Sequence, residues 1–404
     1  MYNKLRHIVL SLGAFACLAM ADEPPRAADH LAHGISWDTP APGRTEGRIY
    51  YYVPPEMDLS QPAGLIIFLH GGSSSSKETA PLSYISGELK RQLDKSTFIL
   101  AMPSAPPPQK VSTGHRWNYE NTWKSILATI DDVSKRAVID RDRIIFGGCS
   151  MGCYGAYHIS EILADRFAGV WFCAGAWTLT DFNTLVGTPI YISHGRRDTA
   201  PPSNIKNGKP KIRKNSWTGV SFARAADKLM TQYGLEHVYD ETNGGHGMDN
   251  DATKRFFEWA VKQRRQPYAK RAVVVSPCGT AHPTMETVMK SRWLEVVSAK
   301  PGPVLLDKIH LKGPNVAATE NDWLAQSYTL EKAERQGFRL TAVNCGNNIF
   351  RVQAEHVTSF RILLSPQMAD LSKPITVDAG LLGKKALMPK PLEGNPDYTA
   401  QILF

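Results

Sequence analysis

The stretch Ile144–Gly152, IIFGGCSMG, joins an apolar run of strand length to a segment with a helical pattern. Within it, Gly148-Cys149-Ser150-Met151-Gly152 fits the pattern Gly-x-Ser-x-Gly. A direct strand-to-helix turn leaves no room for side chains two places before and after its central residue, which explains both glycines. The pattern predicts that Ser150 projects its hydroxyl from the strand tip as a nucleophile. The alternative is a glycine-rich turn with a solvated serine.

On both sides of this turn, short apolar runs alternate with longer helical segments. The predicted strands are Arg48–Val53, Leu65–Leu69, Phe98–Ala101, Arg143–Phe146, Gly169–Cys173, Pro189–Ser193 and Glu236–Asp240. The predicted helices are Pro81–Leu93, Thr122–Ala137, Tyr154–Ala164, Ser221–Tyr233 and Asp251–Gln263. Such alternation predicts an α/β fold with a mostly parallel sheet, flanked by helices on both faces.

After Gln263 the pattern changes to alternating apolar and polar residues separated by turn residues. The predicted strands here are Ala272–Val275, Trp293–Val297, Lys308–Leu311, Phe338–Val343, Ile349–Val352, Phe360–Leu364 and Ile375–Val377. This texture is typical of antiparallel strands. We therefore predict an α/β catalytic domain over residues 47–265 and a smaller β-rich accessory domain over residues 268–404.

The first 21 residues have the pattern of a signal peptide. Lys4 and Arg6 form a basic head, an apolar run follows from Ile8 to Met20, and residues 19–21 have the small-x-small form of a cleavage site. The run is shorter than the roughly 20 residues that span a bilayer, so we expect no stable membrane span. We expect a secreted or periplasmic protein with a mobile lead-in over residues 22–46. A lipoprotein anchored through Cys17 is the alternative.

The composition is that of a folded globular protein. Of 404 residues, 42% are hydrophobic and 21% are charged, which disfavours wholesale disorder and coiled coils. The net charge of +9 indicates solubility and weak attraction to polyanions, not a nucleic-acid site. Five cysteines follow Cys17, so at least one is unpaired in a monomer. The cysteines are either small buried hydrophobic residues or include a disulfide between Cys278 and Cys345, and the sequence does not decide between the two.

A serine nucleophile needs a base, and the base needs an acid that orients it. Asp198 follows the predicted strand that ends at Ser193, and His246 lies in the loop Asn243-Gly244-Gly245-His246-Gly247. The chain order serine, aspartate, histidine is that of an α/β-hydrolase triad. Ser150, Asp198 and His246 are therefore the candidate catalytic residues. The alternatives are His194 or His158 as the base and Asp249 as the acid.

An oxyanion hole is the remaining requirement. Leu69-His70-Gly71-Gly72 ends an apolar strand, and its glycines let backbone N–H groups turn towards a developing negative charge. We expect one donor at the backbone of Gly72 or Ser73 and a second at Met151, which follows the nucleophile. The alternative for His70-Gly71-Gly72 is an ordinary turn from strand to loop.

Two further segments are candidates for substrate contacts. Trp117 or Tyr119 could stack on an aromatic or sugar ring, and the alternative is that they cover the core. A basic insertion contains Lys206, Lys209, Lys211, Arg213 and Lys214. It is either a solvated loop or a surface that attracts an acidic polymer or lipid headgroup.

Residues 46–263 resemble the α/β-hydrolase serine esterases of the polyhydroxybutyrate-depolymerase and feruloyl or acetylxylan esterase branch. The resemblance lies in His70-Gly71-Gly72, the segment Ile139–Arg143, the turn at Ser150, His194-Gly195-x-x-Asp198 and the His246 loop. Cys153 departs from it, because these esterases usually carry a second glycine there. The resemblance implies a serine esterase without a cofactor.

The sequence thus predicts an exported serine hydrolase that cleaves carboxylic esters through an acyl-enzyme, with acyl or feruloyl esters of polysaccharide as the preferred substrates. It contains no metal-binding or nucleotide-binding pattern, so we expect no cofactor, no metal and no nucleic-acid partner. One alternative is a serine exopeptidase with the same triad. Another is a non-catalytic glycan-binding protein that acts through its β-rich tail.

Overall fold

The computed structural model describes residues 23–72, 77–107, 116–119, 121–198, 219–279, 287–311 and 328–404, together with the backbone of 205–206 and 209–210. The predicted signal peptide lies outside these residues. The helices are α1 (Gly87–Leu93), α2 (Thr122–Arg136), α3 (Met151–Leu163), α4 (Val220–Gln232) and α5 (Asn250–Ala260). Short 3-10 turns cover Ala80–Ser83, Ala164–Arg166, Phe182–Leu185 and Gly380–Leu382. None of the described helices is long and apolar enough to cross a membrane.

The first eleven described strands belong to the α/β section. They are β1 (Gly34–Asp38), β2 (Ile49–Val53), β3 (Ala63–Leu69), β4 (Phe98–Pro103), β5 (Ile139–Cys149), β6 (Gly169–Cys173), β7 (Leu179–Thr180), β8 (Ile190–Gly195), β9 (Ile205–Lys206), β10 (Lys209–Pro210) and β11 (His237–Thr242). Eight of them form one sheet in the order β1-β2-β4-β3-β5-β6-β8-β11. The neighbours from β4 to β11 pair in parallel, which confirms the predicted mostly parallel sheet.

The helices cover both faces of this sheet. Ile126 of α2, Ile159 of α3 and Leu229 of α4 join the core on one face. Leu89 of α1 and Phe256 of α5 belong to the core on the other. The central strands β3 and β4 are buried along their whole length, as their continuous apolar sequences predict.

The lead-in prediction is wrong for part of residues 22–46. Strand β1 pairs antiparallel with β2 over its whole length, from Gly34 opposite Val53 to Asp38 opposite Ile49. Strand β1 lies at the edge of the sheet, where only one position of its sequence GISWD is fully buried. Its sequence therefore lacks the continuous apolar run that marks a central strand. The folded part of the chain therefore begins before Arg48.

The C-terminal region is rich in β-strands, as predicted. Its strands are β12 (Arg271–Ser276), β13 (Lys290–Ser291), β14 (Leu294–Ala299), β15 (Gly302–Leu311), β16 (Tyr328–Asn344), β17 (Ile349–Glu355), β18 (Val357–Leu364), β19 (Ile375–Asp378), β20 (Lys384–Leu387), β21 (Lys390–Pro391) and β22 (Ala400–Leu403). Among the described residues, they form two sheets. The long β16 pairs with β15 along its first half and with β12 and β17 along its second.

One of these sheets extends into the α/β section. Strand β7 pairs antiparallel with β15 through Leu179 opposite Lys308 and Thr180 opposite Asp307. Beside this pairing, the Arg339 guanidinium donates to Asp181 Oδ2 from Nε at 3.1 Å and from Nη2 at 2.8 Å. The C-terminal region is therefore tied to the α/β section by both backbone and side-chain hydrogen bonds.

Candidate active site

Ser150 lies at the turn between β5 and α3, as predicted. Its backbone has φ 56° and ψ −119°, a conformation that non-glycine residues rarely adopt. A Cβ at Gly148 would lie 2.4 Å from the carbonyl oxygen of Gly152, and one at Gly152 would lie 1.9 Å from that of Leu69. Because these obstacles are backbone atoms, the turn requires both glycines.

The structure brings His246 and Asp198 to this serine. Ser150 Oγ lies 2.8 Å from His246 Nε2, and His246 Nδ1 lies 2.7 Å from Asp198 Oδ2. All three follow the carboxyl ends of parallel strands: Ser150 follows β5, Asp198 follows β8 and His246 follows β11. In the matching tautomer the serine hydroxyl donates to Nε2 and the Nδ1–H donates to the carboxylate. The arrangement is that of a nucleophile, a base and an orienting acid.

A second histidine contacts the same carboxylate oxygen, which the sequence did not reveal. His194 Nε2 lies 2.9 Å from Asp198 Oδ2, and both side chains are buried. Burial opposes ionisation of Asp198, but hydrogen bonds from His194 and His246 outweigh it and lower the pKa of this carboxyl. The hydrogen bond to Asp198 raises the pKa of His246. Two N–H donors thus hold a buried carboxylate in its charged form.

The structure places the alternative site residues elsewhere. Asp249 caps α5, where its Oδ1 accepts from the amides of Asp251 and Ala252, both at 3.0 Å. His158 is fully buried in α3, and burial lowers its pKa to about 4. His194 contacts Asp198 and not the serine. Of the candidate bases, His246 alone among the described residues lies within hydrogen-bond distance of Ser150 Oγ.

The predicted oxyanion loop is held by His70. The Nδ1 of His70 lies 2.7 Å from the Gly71 carbonyl oxygen, and its Nε2 accepts from the Ala105 amide at 2.8 Å. Burial lowers the pKa of His70 to about 4, so the ring is neutral with its proton on Nδ1. Because the two ends of a peptide bond are coplanar, this contact also fixes the direction of the Gly72 N–H.

The predicted oxyanion donors Gly72 and Met151 follow the carboxyl ends of two neighbouring parallel strands, β3 and β5. Gly72 follows β3 with φ 126°, a value that favours glycine. Met151 is the first residue of α3, so its amide has no partner within the helix. Ser73 lies outside the described residues. Gly72 and Met151 are thus the donors that the described geometry offers.

The predicted substrate-stacking role of Trp117 is wrong, because its ring lies in the core. Trp117 is fully buried, and its Nε1–H donates to the His70 carbonyl at 3.2 Å. Tyr119 is also buried. Both aromatic residues cover the core beneath the loop, the alternative that the sequence left open. The side chains of the basic insertion, residues 206–214, lie outside the described part of the structure.

A cleft of about 390 Å³ lies between segments 83–89 and 247–253. The lining residues closest in sequence to the triad are Cys149 and Gly247, which flank Ser150 and His246, and Tyr84 and Met248 add apolar surface. Polar side chains complete its wall at Ser83, Ser86, Glu88, Asn250 and Thr253. No sequence pattern predicts this cleft, because its lining comes from three separate segments of the chain.

The cysteines contribute no bridge to the site. Cys278 is buried and its thiol donates to the Glu161 carbonyl at 3.4 Å, whereas Cys345 is exposed. The two therefore do not form the bridge that the sequence left open. Cys149, Cys153 and Cys173 are buried near the nucleophile as free thiols.

The sequence of the α/β section matches a family model. The model is described as phospholipase/carboxylesterase and matches residues 57–233. This segment of the chain is therefore similar to phospholipases and carboxylesterases. The match confirms the predicted resemblance to serine esterases. The matched segment contains Ser150 and Asp198, while His246 lies beyond it.

Several solved structures are similar to this chain. One is a thermostable esterase, with 20% identity, TM-score 0.42 and coverage of 57% of this chain and 63% of that one. Another is a ferulic acid esterase from Anaeromyces mucronatus, with 15% identity, TM-score 0.41 and coverage of 57% and 90%. A third is a poly(3-hydroxybutyrate) depolymerase from Bordetella parapertussis, with 13% identity, TM-score 0.40 and coverage of 57% and 88%. This chain thus spans 63% of the length of the thermostable esterase. Among curated proteins, none matches it.

Proposed function

We propose that Ser150, His246 and Asp198 are the catalytic triad of a carboxylic-ester hydrolase. The observation that carries this proposal is the unbroken line of hydrogen bonds from Ser150 Oγ through His246 to Asp198, at 2.8 and 2.7 Å. Its position beside two backbone donors, at Gly72 and Met151, supplies what acyl transfer needs.

The geometry supports a two-step reaction. Ser150 Oγ attacks the ester carbonyl while His246 Nε2 takes the hydroxyl proton, and the carbonyl electron pair moves onto the oxygen facing Gly72 and Met151. Collapse of this intermediate breaks the bond to the alcohol, which receives the proton from His246. Water then attacks the acyl-enzyme in the same way, and the acid and Ser150 are released. Asp198 holds the imidazole in the required tautomer throughout.

We further propose that the enzyme is exported and acts on acyl or feruloyl esters of polysaccharides. The signal-peptide pattern of residues 1–21 supports export. The cleft lined by Cys149 and Gly247 supports a substrate that carries hydroxyl groups, because the polar side chains of Ser83, Ser86 and Asn250 line it together with the apolar surface of Tyr84 and Met248. A sugar presents such a mixture of polar and apolar surface.

The first test is hydrolysis of p-nitrophenyl acetate and butyrate by residues 22–404, beside Ser150→Ala. We expect hydrolysis by the native sequence and a loss of at least about a thousandfold in the variant. A fluorophosphonate should label Ser150 and leave the variant unlabelled. A folded native protein that neither hydrolyses these esters nor reacts with the probe would overturn the proposal.

The substrate class needs a separate comparison. Acetylated and feruloylated glycans are assayed against aminoacyl amides under the same conditions. Preference for the glycan esters supports the proposed class. Faster cleavage of the amides would assign the triad to an exopeptidase.

A further inference from the structure

The hydroxyl of Tyr84 lies at the oxyanion loop, although the sequence gives it no role. Tyr84 follows the 3-10 turn at Ala80–Ser83, and its Oη accepts the Gly71 N–H at 2.8 Å. Its ring contacts those of Phe68 and His70, with centroids 6.2 and 6.4 Å away. The hydroxyl is therefore held in place by both a hydrogen bond and ring packing.

This hydroxyl and the nucleophile flank the same point. A Cβ added to Gly71 would lie 2.5 Å from Tyr84 Oη and 2.9 Å from Ser150 Cβ. Tyr84 also lines the cleft of about 390 Å³, together with Cys149 and Gly247, the neighbours of Ser150 and His246. The phenol oxygen thus lies close to the side chain of Ser150.

The hydroxyl proton of Tyr84 is available for a further hydrogen bond. Its oxygen is an acceptor in the contact with Gly71, and within the described part of the chain the proton has no acceptor. Burial raises the pKa of Tyr84, so the phenol is protonated at neutral pH. A tyrosine that accepts one hydrogen bond keeps its own proton for donation.

We propose that Tyr84 is a catalytic residue whose hydroxyl donates a third hydrogen bond to the oxyanion, beside the amides of Gly72 and Met151. This inference rests on the proposed ester hydrolysis at Ser150. The phenol keeps its proton throughout: the serine proton moves to His246, and the negative charge on the former carbonyl oxygen is stabilised by the donated bond. The hydrogen bond from Gly71 N–H polarises the phenol and strengthens its donation.

Tyr84→Phe tests this role through the two half-reactions. Both acylation and deacylation pass through an oxyanion, so we expect both rate constants for p-nitrophenyl acetate to fall about 10- to 100-fold, with little change in substrate binding. Slower acylation alone would place Tyr84 at the leaving alcohol and overturn the proposal. Tyr191→Phe is the matched control. The Tyr191 hydroxyl donates to Asp240 Oδ2 at 2.5 Å, and this pair makes no contact with the serine.

Fluorinated tyrosine at position 84 separates donation from mere support of the loop. Fluorine makes the phenol a stronger donor and a weaker acceptor, and the ring keeps its shape. If Tyr84 donates to the oxyanion, 3-fluorotyrosine should keep or raise both rates at pH 7. A loss comparable to that of Tyr84→Phe would show that accepting from Gly71 is the only role, and the proposal would fall.

The outcomes also separate this inference from the proposed function. Native hydrolysis that disappears in Ser150→Ala but is unchanged in Tyr84→Phe would overturn the role of Tyr84 and leave the triad intact. A folded native protein without esterase activity or fluorophosphonate labelling would overturn both. Should Tyr84→Phe not fold, the fluorotyrosine variant decides the question alone.

Discussion

At the residue scale, the most unusual feature is a carboxylate oxygen shared by two histidines. Asp198 Oδ2 contacts both His194 Nε2 and His246 Nδ1, at 2.9 and 2.7 Å. Only His246 reaches the serine, so His194 acts through Asp198 as a positioning residue. A buried carboxylate with two donors is more strongly held than one with a single donor.

We predict that His194→Phe slows hydrolysis without removing it. The lost hydrogen bond to a charged group is worth about 1.5–3 kcal/mol, or roughly 10- to 100-fold in kcat/KM if it acts fully on the transition state. The apparent pKa on the acid side of the kcat/KM profile should shift, because Asp198 is less firmly held beside His246.

The control for this variant is His237→Phe. His237 also contacts an aspartate, with Nε2 3.0 Å from Asp227 Oδ1, but this pair lies away from the triad. The His237→Phe variant should therefore keep the native kcat/KM. An unchanged pH profile in His194→Phe would show that His194 serves packing alone.

A second prediction at this scale concerns the buried Glu161. Burial raises its pKa to about 8, although Thr180 donates to it. In the unfolded chain the pKa of this carboxyl is near 4.5. Below pH 4.5 the side chain is neutral in both states, so its burial carries no cost of removing a charge. As the pH rises from 4.5 towards 8, the folded protein must hold a proton that the unfolded chain releases. The free energy of unfolding therefore falls by as much as about 1.4 kcal/mol for each pH unit.

Glu161→Gln should therefore stabilise the protein at pH 7–8 and have little effect at pH 4. Chemical denaturation across this pH range measures the difference. Glu161 is far from the serine in α3, so its replacement should leave kcat unchanged. A variant that loses the same stability at pH 4 and at pH 8 would contradict the assignment.

At the element scale, the turn from β5 to α3 is decided by backbone contact. The helix begins against the end of β3, where the Cα of Gly152 faces the Leu69 carbonyl. This contact sets the start of α3, and with it the Met151 amide, against the end of β3. The element that positions the nucleophile is thus the same one that positions an oxyanion donor.

We predict that Gly152→Ala lowers the free energy of unfolding by about 3 kcal/mol or more, because its Cβ would lie 1.9 Å from the Leu69 carbonyl oxygen. Thermal unfolding monitored by circular dichroism measures the loss. Gly245→Ala is the control, since a Cβ there meets nothing within 4 Å of the described residues. Equal stabilities of the two variants would contradict this account.

At the scale of the whole molecule, the C-terminal region and the α/β section share structure. Strand β7 joins the sheet of β15, and Arg339 binds Asp181, which also caps the 3-10 turn at Phe182–Leu185. Arg265 adds a second link through Asp397, with N–O distances of 2.9 and 2.7 Å. The boundary predicted near residue 266 therefore lies within a region of extensive contact.

We predict that Arg339→Met lowers the free energy of unfolding by about 2 kcal/mol, because it leaves the buried Asp181 carboxylate with fewer donors. A double-mutant cycle with Asp181→Asn should show coupling of at least about 1 kcal/mol. Arg361→Met is the control. Its partner Glu295 lies on the neighbouring strand at 3.0 Å, in a more exposed pair. No coupling in the Arg339 cycle would show that backbone pairing alone holds the two parts together.

The sequence alone predicted the turn at Ser150, the chain order of Ser150, Asp198 and His246, and the mostly parallel sheet. These features follow from local rules: steric limits at Gly148 and Gly152, and the apolar periodicity of strands and helices. The tertiary structure decided which of several histidines and aspartates meet. It assigned His194 and His246 to one carboxylate, Asp249 to a helix cap and Trp117 to the core. It also brought Tyr84 to the oxyanion loop and β7 to the C-terminal sheet. These contacts join residues far apart in the chain, so they depend on how the elements pack and leave no pattern in the local sequence.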